Sequence, residues 1–280
     1  MKRLLQMLLV ALFLSVPPAC AAEPPALEIG IWPYMSTQAL LTLYHPLQRY
    51  LEHGLQKPVL FVTAPDQRAF VGRTLKGEYR FVITAPHFAR LAQKEAGYVP
   101  MLRPKRDMVS LLLVNKNSAI RSVDDLRGKT VTLPAKVTFV AILTMQMLRE
   151  NGLEPGRDIK VRYAASHNSA MLDVLRGESA AAATAATILD QMPEKDRGSF
   201  RILARTGKVP PLVILANPGV PEKEVADMTR TLLDFTEHSP EGDKFLKRIA
   251  WQGLRPPAPG EMRSLDPYVA DLNRLLKSSR

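Results

Sequence analysis

Apolar positions along this chain switch repeatedly between a period of two and a period of 3.6. Leu27 to Ile31 alternates as a short strand and runs into Trp32-Pro33-Tyr34. Proline holds its neighbour extended there, so a turn must follow. Leu40, Leu43, Leu47, Tyr50 and Leu51 then share one helical face, with Ser36 or Thr37 as cap, Gly54 as stop, and Pro46 either kinking the helix or starting a second one. Pro58 to Val62 reads as the next strand. Asp66 caps a helix through Phe70, Val71 and Leu75 that Gly77 closes, Phe81 to Thr84 is a buried strand, and Pro86 opens a helix to Gly97.

A second set of the same kind follows. Ser122 with Asp125 forms a capping box over one short turn ended by Gly128, Lys129 to Leu133 is a strand, and Pro134 breaks it into a loop reaching Thr138. Val140, Leu143, Met147 and Leu148 mark one face of a helix that Gly152 terminates. The strand Ile159 to Tyr163, the helix Ser169 to Arg176 and the alanine-rich segment Ala180 to Ala186 complete the set. Two apolar runs, Val109 to Asn115 and Leu212 to Asn217, bracket it and read as a pair of crossovers. Beyond them the chain is helical: Pro221 to Ser239, Asp243 to Ile249, and Pro267 to Leu276.

Alternating βαβα order with short loops predicts parallel sheets covered by helices, with ligands beyond the carboxyl ends of the strands. The expected organisation is a clamshell. Lobe 1 spans residues 22–110 and 212–280, lobe 2 spans 111–211, and two crossover strands join them around a cleft that closes by hinge motion. The tips that should face it are Trp32 to Ser36, Ala64 to Gln67, Thr84 to His87, Pro134 to Thr138 and Ala164 to Asn168. Trp32 serves either as pocket wall or as core. Thr138 stands at a helix N-terminus, where unpaired N–H groups suit an anion or polar head.

Residues 1–21 are expected to be an export leader: basic Lys2 and Arg3, an apolar core Leu4 to Val16, and Ala19-Cys20-Ala21 at the cleavage site. A lipid anchor on Cys20 is the alternative, but Pro17 stands where a lipobox has Leu, so soluble release into the periplasm is favoured. The single cysteine leaves the folded part without disulfide or thiolate chemistry. The net charge is +11, two units of it from the leader. Scattered Lys and Arg and few aromatics argue against nucleic acid as partner. The charge serves solubility first, and could also favour encounters with an anionic solute or an anionic membrane surface. The five histidines lack paired metal spacing and no nucleophile elbow is present, so neither an enzyme nor a cofactor is expected.

In order and spacing the chain resembles the phosphate/phosphite/phosphonate family of periplasmic binding proteins. The pieces are Pro33-Tyr34, Pro46-Leu47, Tyr50-Leu51-Glu52, Ala64-Pro65-Asp66, Val114-Asn115-Lys116, Asp125 to Lys129, His167, Arg176-Gly177-Glu178 and Val209-Pro210. The resemblance implies an α/β type II periplasmic binding fold. It implies a monomer that hands a small anionic solute to an ABC permease in the inner membrane, or that reports it to a membrane sensor. It also implies ligand contacts at Tyr34, Gln67, Thr84, His87, Thr138, His167 and Asn168.

Departures from the family pattern concern the ligand. Where relatives carry a Ser-Thr-Ser-Gly run, this chain has Val137-Thr138-Phe139-Val140, and only Thr138 keeps its hydroxyl. Gln67 replaces a usual tyrosine, Arg80 and Ala180 stand near usual aspartates, and Asn168 follows His167 where an acid is common. Losing two hydroxyls removes donors and adds apolar wall, so the fold and the binding role carry over while the phosphonate specificity does not. Lys136 either neutralises charge in the cleft or solvates its loop.

Overall fold

A computed structural model describes residues 26–190 and 192–278, so the leader and Cys20 lie outside the described residues. The first half of lobe 1 is β1 (Leu27–Ile31), α1 (Thr37–Leu55), β2 (Val59–Val62), α2 (Gln67–Leu75), β3 (Phe81–Thr84), α3 (Pro86–Ala96) and β4 (Val99–Pro104). Ser36 caps α1, its Oγ accepting from the Ala39 amide at 3.4 Å, and the helix runs through Pro46 as one element.

Lobe 2 comprises β5 (Ser110–Asn115), β6 (Thr130–Leu133), α4 (Phe139–Glu150), β7 (Lys160–Tyr163), α5 (His167–Leu175), β8 (Ala181–Ala185), α6 (Ala186–Asp190), α7 (Glu194–Arg197) and β9 (Phe200–Arg205). The chain then returns through β10 (Val213–Ala216), α8 (Glu222–His238), α9 (Pro240–Ile249), β11 (Leu254–Arg255) and α10 (Asp266–Ser278).

Two sheets result, ordered β11-β4-β10-β3-β1-β2 and β7-β6-β8-β5-β9. In the first, β1 pairs β2 and β3 in parallel while β10 runs antiparallel between β3 and β4. In the second, β6 pairs β7 and β8 in parallel while β5 runs antiparallel between β8 and β9. The two apolar runs read as crossovers are therefore interior strands. A run such as Leu111 to Val114 is apolar throughout because both of its faces are covered. The chain passes between the sheets in the shorter stretches 105–109 and 206–212, where Met108 and Val209 exchange backbone hydrogen bonds at 2.7 and 3.0 Å.

β4 is a strand that periodicity missed. Its sequence, VPMLRP, carries two prolines, which withhold ladder donors and argue against a sheet interior. A register shift between Ile214 and Leu215 lets β10 pair Pro100 and Leu102, while only two-residue β11 covers the other side. The edge strand β9 was also missed: Arg201 and Arg205 interrupt its apolar alternation, as charges commonly do at sheet edges.

Each sheet is packed on both faces. In lobe 1 one apolar cluster joins α1, α8 and α9, while another joins α2, α3 and α10. The second cluster also contains Phe139, Ile142 and Leu143 of α4, so this helix is shared between the lobes.

Candidate functional site

Six parallel strands, β1, β2 and β3 in one sheet and β6, β7 and β8 in the other, carry the loops at their carboxyl ends toward the gap between the lobes. A cleft of about 540 Å³ lies there. Its lobe 1 wall takes Trp32 to Met35 from the tip of β1, Gln67 from the start of α2, and Arg248, Ile249 and Trp251 from the end of α9. Its lobe 2 wall takes Pro134 to Val140 in part, Ala165 to His167, and Thr187 with Ile188. Among the described residues that line it there is no carboxylate, and Arg248 is the one fixed cation.

The lobe 2 wall presents two helix N-termini. The Thr138 hydroxyl caps α4 by accepting from the Ala141 amide at 3.3 Å, and the Ser166 hydroxyl caps α5 by accepting from the Ser169 amide at 3.1 Å. Both caps are neutral, so the positive end of each helix dipole is not cancelled by its own cap. The α2 terminus differs: Asp66 caps it, its carboxylate accepting from the Ala69 amide at 2.8 Å.

Four of the seven sequence-derived contacts, Tyr34, Gln67, Thr138 and His167, line this cleft. Tyr34 shows its ring to the cleft, but its hydroxyl donates to Tyr44 Oη at 3.3 Å. Burial pushes the Tyr34 phenol up to about 12, against the lowering effect of that bond. Gln67 Oε1 is buried without a protein partner. His167 Nδ1 lies 3.3 Å from Thr184 Oγ1, and desolvation pushes its imidazole down to about 4. It is therefore neutral at pH 7. In the tautomer in which Thr184 donates to Nδ1, Nε2 carries the proton and is a neutral donor; in the other, Nδ1 donates to Thr184 and Nε2 accepts.

Asn168 stands apart in an adjoining cavity of about 430 Å³, which shares Ser166, His167 and Ile188 with the cleft. Lys136 is exposed and is not part of the lining, which favours its reading as a loop-solvating charge. Trp32 fills both roles weighed for it: it is 5% exposed, packs against Phe88 at 4.2 Å and Phe70 at 5.7 Å, and still forms part of the wall.

Thr84 and His87 lie away from the cleft lining. Thr84 is buried between α2 and α3. His87 is buried too, but at the join of the lobes: Nε2 sits 3.2 Å from the Val137 carbonyl and its ring stacks on Phe139 at 4.7 Å and 13°. Desolvation pushes this imidazole down to about 3, although the Val137 carbonyl favours its charged form. The physical reason is helix phase, since the residue after Pro86 turns inward under α4 while Ala85 faces the gap.

Sequence reasoning placed Met35 in the tip Trp32 to Ser36 but missed Arg248, Leu212 and Trp251 as cleft residues. Arg248 lies in the last turn of α9, where a cation is favourable for the helix alone, so it carried no separate signal.

A pair of α/β sheets, each with an antiparallel strand inserted in its interior and facing a shared cleft with its parallel strand ends, is the type II periplasmic binding protein fold. Within that class, residues 29–261 match the family described as ABC transporter, phosphonate, periplasmic substrate-binding protein, and the chain belongs to it. PhnD1 of Prochlorococcus marinus, solved with methylphosphonate, is similar with a TM-score of 0.77 at 14% identity over 89% of this chain and 98% of that one. XAC2383 of Xanthomonas citri, solved with ATP, is similar with a TM-score of 0.75 at 23% identity over 91% and 99%. The tetrathionate sensor histidine kinase TtrS of Salmonella typhimurium is 26% identical over 166 residues, 56% of this chain but 28% of the kinase.

Proposed function

We propose that this protein is the periplasmic solute-binding component of an ABC importer, capturing a small anion between its lobes and delivering it to an inner-membrane permease. The observation that carries this reading is the meeting of the neutral-capped α4 and α5 N-termini in a cleft whose described lining has one cation and no carboxylate. Thr138, Ser166 and, in its Nε2–H tautomer, His167 place donors on one wall, and Gln67 and Arg248 complete the polar set on the other. No catalytic step is assigned, in keeping with a family and structural relatives that are binding proteins.

Magnitudes limit what the polar set does alone. Two partly buried helix ends contribute about 2 kcal/mol each, whereas micromolar affinity needs about 8. The remainder must come from Arg248 and from apolar burial.

The similarity to a sensor kinase supports a second reading, in which the same capture is reported to a membrane sensor. A thermal-shift screen of phosphate, phosphite, alkylphosphonates, sulfonates, carboxylates and tetrathionate tests the shared core of both readings. A true ligand at one hundred times its dissociation constant stabilises by about 2.7 kcal/mol. Silence across the panel would overturn anion capture. Deletion of the gene then separates the two readings: an importer component is needed for uptake of the ligand, a sensor component for the transcriptional response to it.

A further inference from the structure

The first crossover opens on three consecutive charges, Lys105-Arg106-Asp107, and ion pairs tie them to different lobes. The Lys105 amide donates to the Gly253 carbonyl at 2.9 Å and its ammonium pairs with Glu237 of α8 at 3.3 Å. Asp107 pairs with Arg103 of β4, which is 1% exposed and also meets Glu261 at 3.0 Å. Both residues are thereby held by lobe 1. Met108 exchanges backbone bonds with Val209 of the return crossover, and the next residue, Val109, is tied to lobe 2: its carbonyl accepts from the Ala186 amide at 2.9 Å, at the start of α6. Arg106 breaks this division. It stands between two residues held by lobe 1, yet its guanidinium donates to the Asp190 carboxylate at 3.0 Å. Asp190 ends α6, which Leu189 roots in the lobe 2 core beside Leu111, Leu113 and Met171.

We propose that the Arg106–Asp190 pair is an electrostatic strap across the hinge, biasing the lobes toward the angle of this structure. Its two ends lie on opposite sides of the Met108–Val209 bridge, so rotation about that bridge moves them relative to each other and a large rotation would part them. The pair is 35% and 53% exposed, so water and salt reach it. Its contribution is that of a partly exposed ion pair, small against the stability of a fold but enough to shift the balance between two lobe angles. A binding-competent state that is populated only in part weakens the apparent affinity by that fraction. The strap therefore tunes capture without touching the solute, although α6 also carries Thr187 and Ile188 into the cleft.

The test is a distance measurement across the cleft by double electron–electron resonance, made without a solute and so independent of which one the cleft takes. Spin labels go on Leu41→Cys in α1 and Leu172→Cys in α5, both exposed and near the cleft ends of their helices, with Cys20→Ser so that no other thiol is labelled. At low ionic strength Arg106→Gln is expected to raise the population at other separations about two- to fivefold, the range for a partly exposed pair. Salt at about 1 M, where the screening length is about 3 Å, should shift the parent in the same way and leave Arg106→Gln unmoved. Arg106→Asp combined with Asp190→Arg should bring the parent distribution back. A distribution in Arg106→Gln identical to the parent's, or a charge exchange that fails to restore it, would overturn the strap. So would a lowered urea midpoint with the lobe separation unchanged, the mark of a pair that only stabilises the fold.

Discussion

His87 shows how a residue chosen for one role serves another. Its ring has no exposure, stacks on Phe139 and meets the Val137 carbonyl, so it joins lobe 1 to the loop that precedes α4. Its folded-state pKa of about 3 lies below the ordinary value of 6.5. The unfolded chain therefore takes up a proton that the folded protein refuses as pH falls from 6.5 toward 3, and stability is lost across that window. Between pH 6.5 and 4.5 the loss attributable to this one group is about 2 kcal/mol. His87→Phe keeps the stacking and removes the titration. Urea denaturation should show that the variant loses about 2 kcal/mol less than the parent over this interval, and an unchanged acid slope would exclude His87 as its source.

At the scale of elements, α9 holds Arg248 and Ile249 at the cleft rim, and its position is set by the end of α8. A Cβ on Gly242 would lie 1.7 Å from the Phe235 carbonyl oxygen, so the helix approaches α8 as closely as a bare backbone allows. Gly242→Ala should displace α9 and destabilise the protein by about 3 kcal/mol, the upper range for overpacking. Chemical denaturation checks the stability, and the same variant should lose solute affinity because Arg248 and Trp251 move with the helix. Wild-type stability would show that α9 has slack at this contact.

Most elements were legible because period and punctuation agreed. Asp66, Thr138 and the Ser122–Asp125 box cap where they were placed, and Gly128 and Gly152 sit at φ +75° and +76°, where a side chain would be strained. β4 was not legible, because its prolines speak against pairing and only a bulge in β10 accommodates them. In the candidate site, loops following a parallel strand could be placed from order alone, which brought Tyr34, Gln67, Thr138 and His167 to the gap. Arg248 and Trp251 come from a helix returning through more than one hundred residues of intervening chain, a relation that local pattern does not encode.

For the molecule as a whole, α4 is the helix packed into both lobes. Phe139, Ile142 and Leu143 are 5%, 3% and 3% exposed and belong to a cluster with Phe88, Leu265 and Val269 of lobe 1. Pulling the lobes apart at this face would expose three large side chains at about 2 kcal/mol each. The cleft should therefore open by pivoting about α4 and the Met108–Val209 bridge rather than by separation. Phe139→Ala is expected to destabilise by about 3 to 5 kcal/mol and to raise the radius of gyration of the ligand-free protein in small-angle scattering. Unchanged scattering would show that this contact does not restrain the lobes.

The central claim, capture of an anion between the lobes, has a built-in reporter: the chain contains two tryptophans, Trp32 and Trp251, and both line the cleft. Intrinsic tryptophan fluorescence titrated with the anion panel should give a saturable change for at least one anion, shifted to higher concentration by Arg248→Ala and by added salt. Emission that stays flat for every anion while the protein remains folded, or a saturable change indifferent to Arg248, would contradict it.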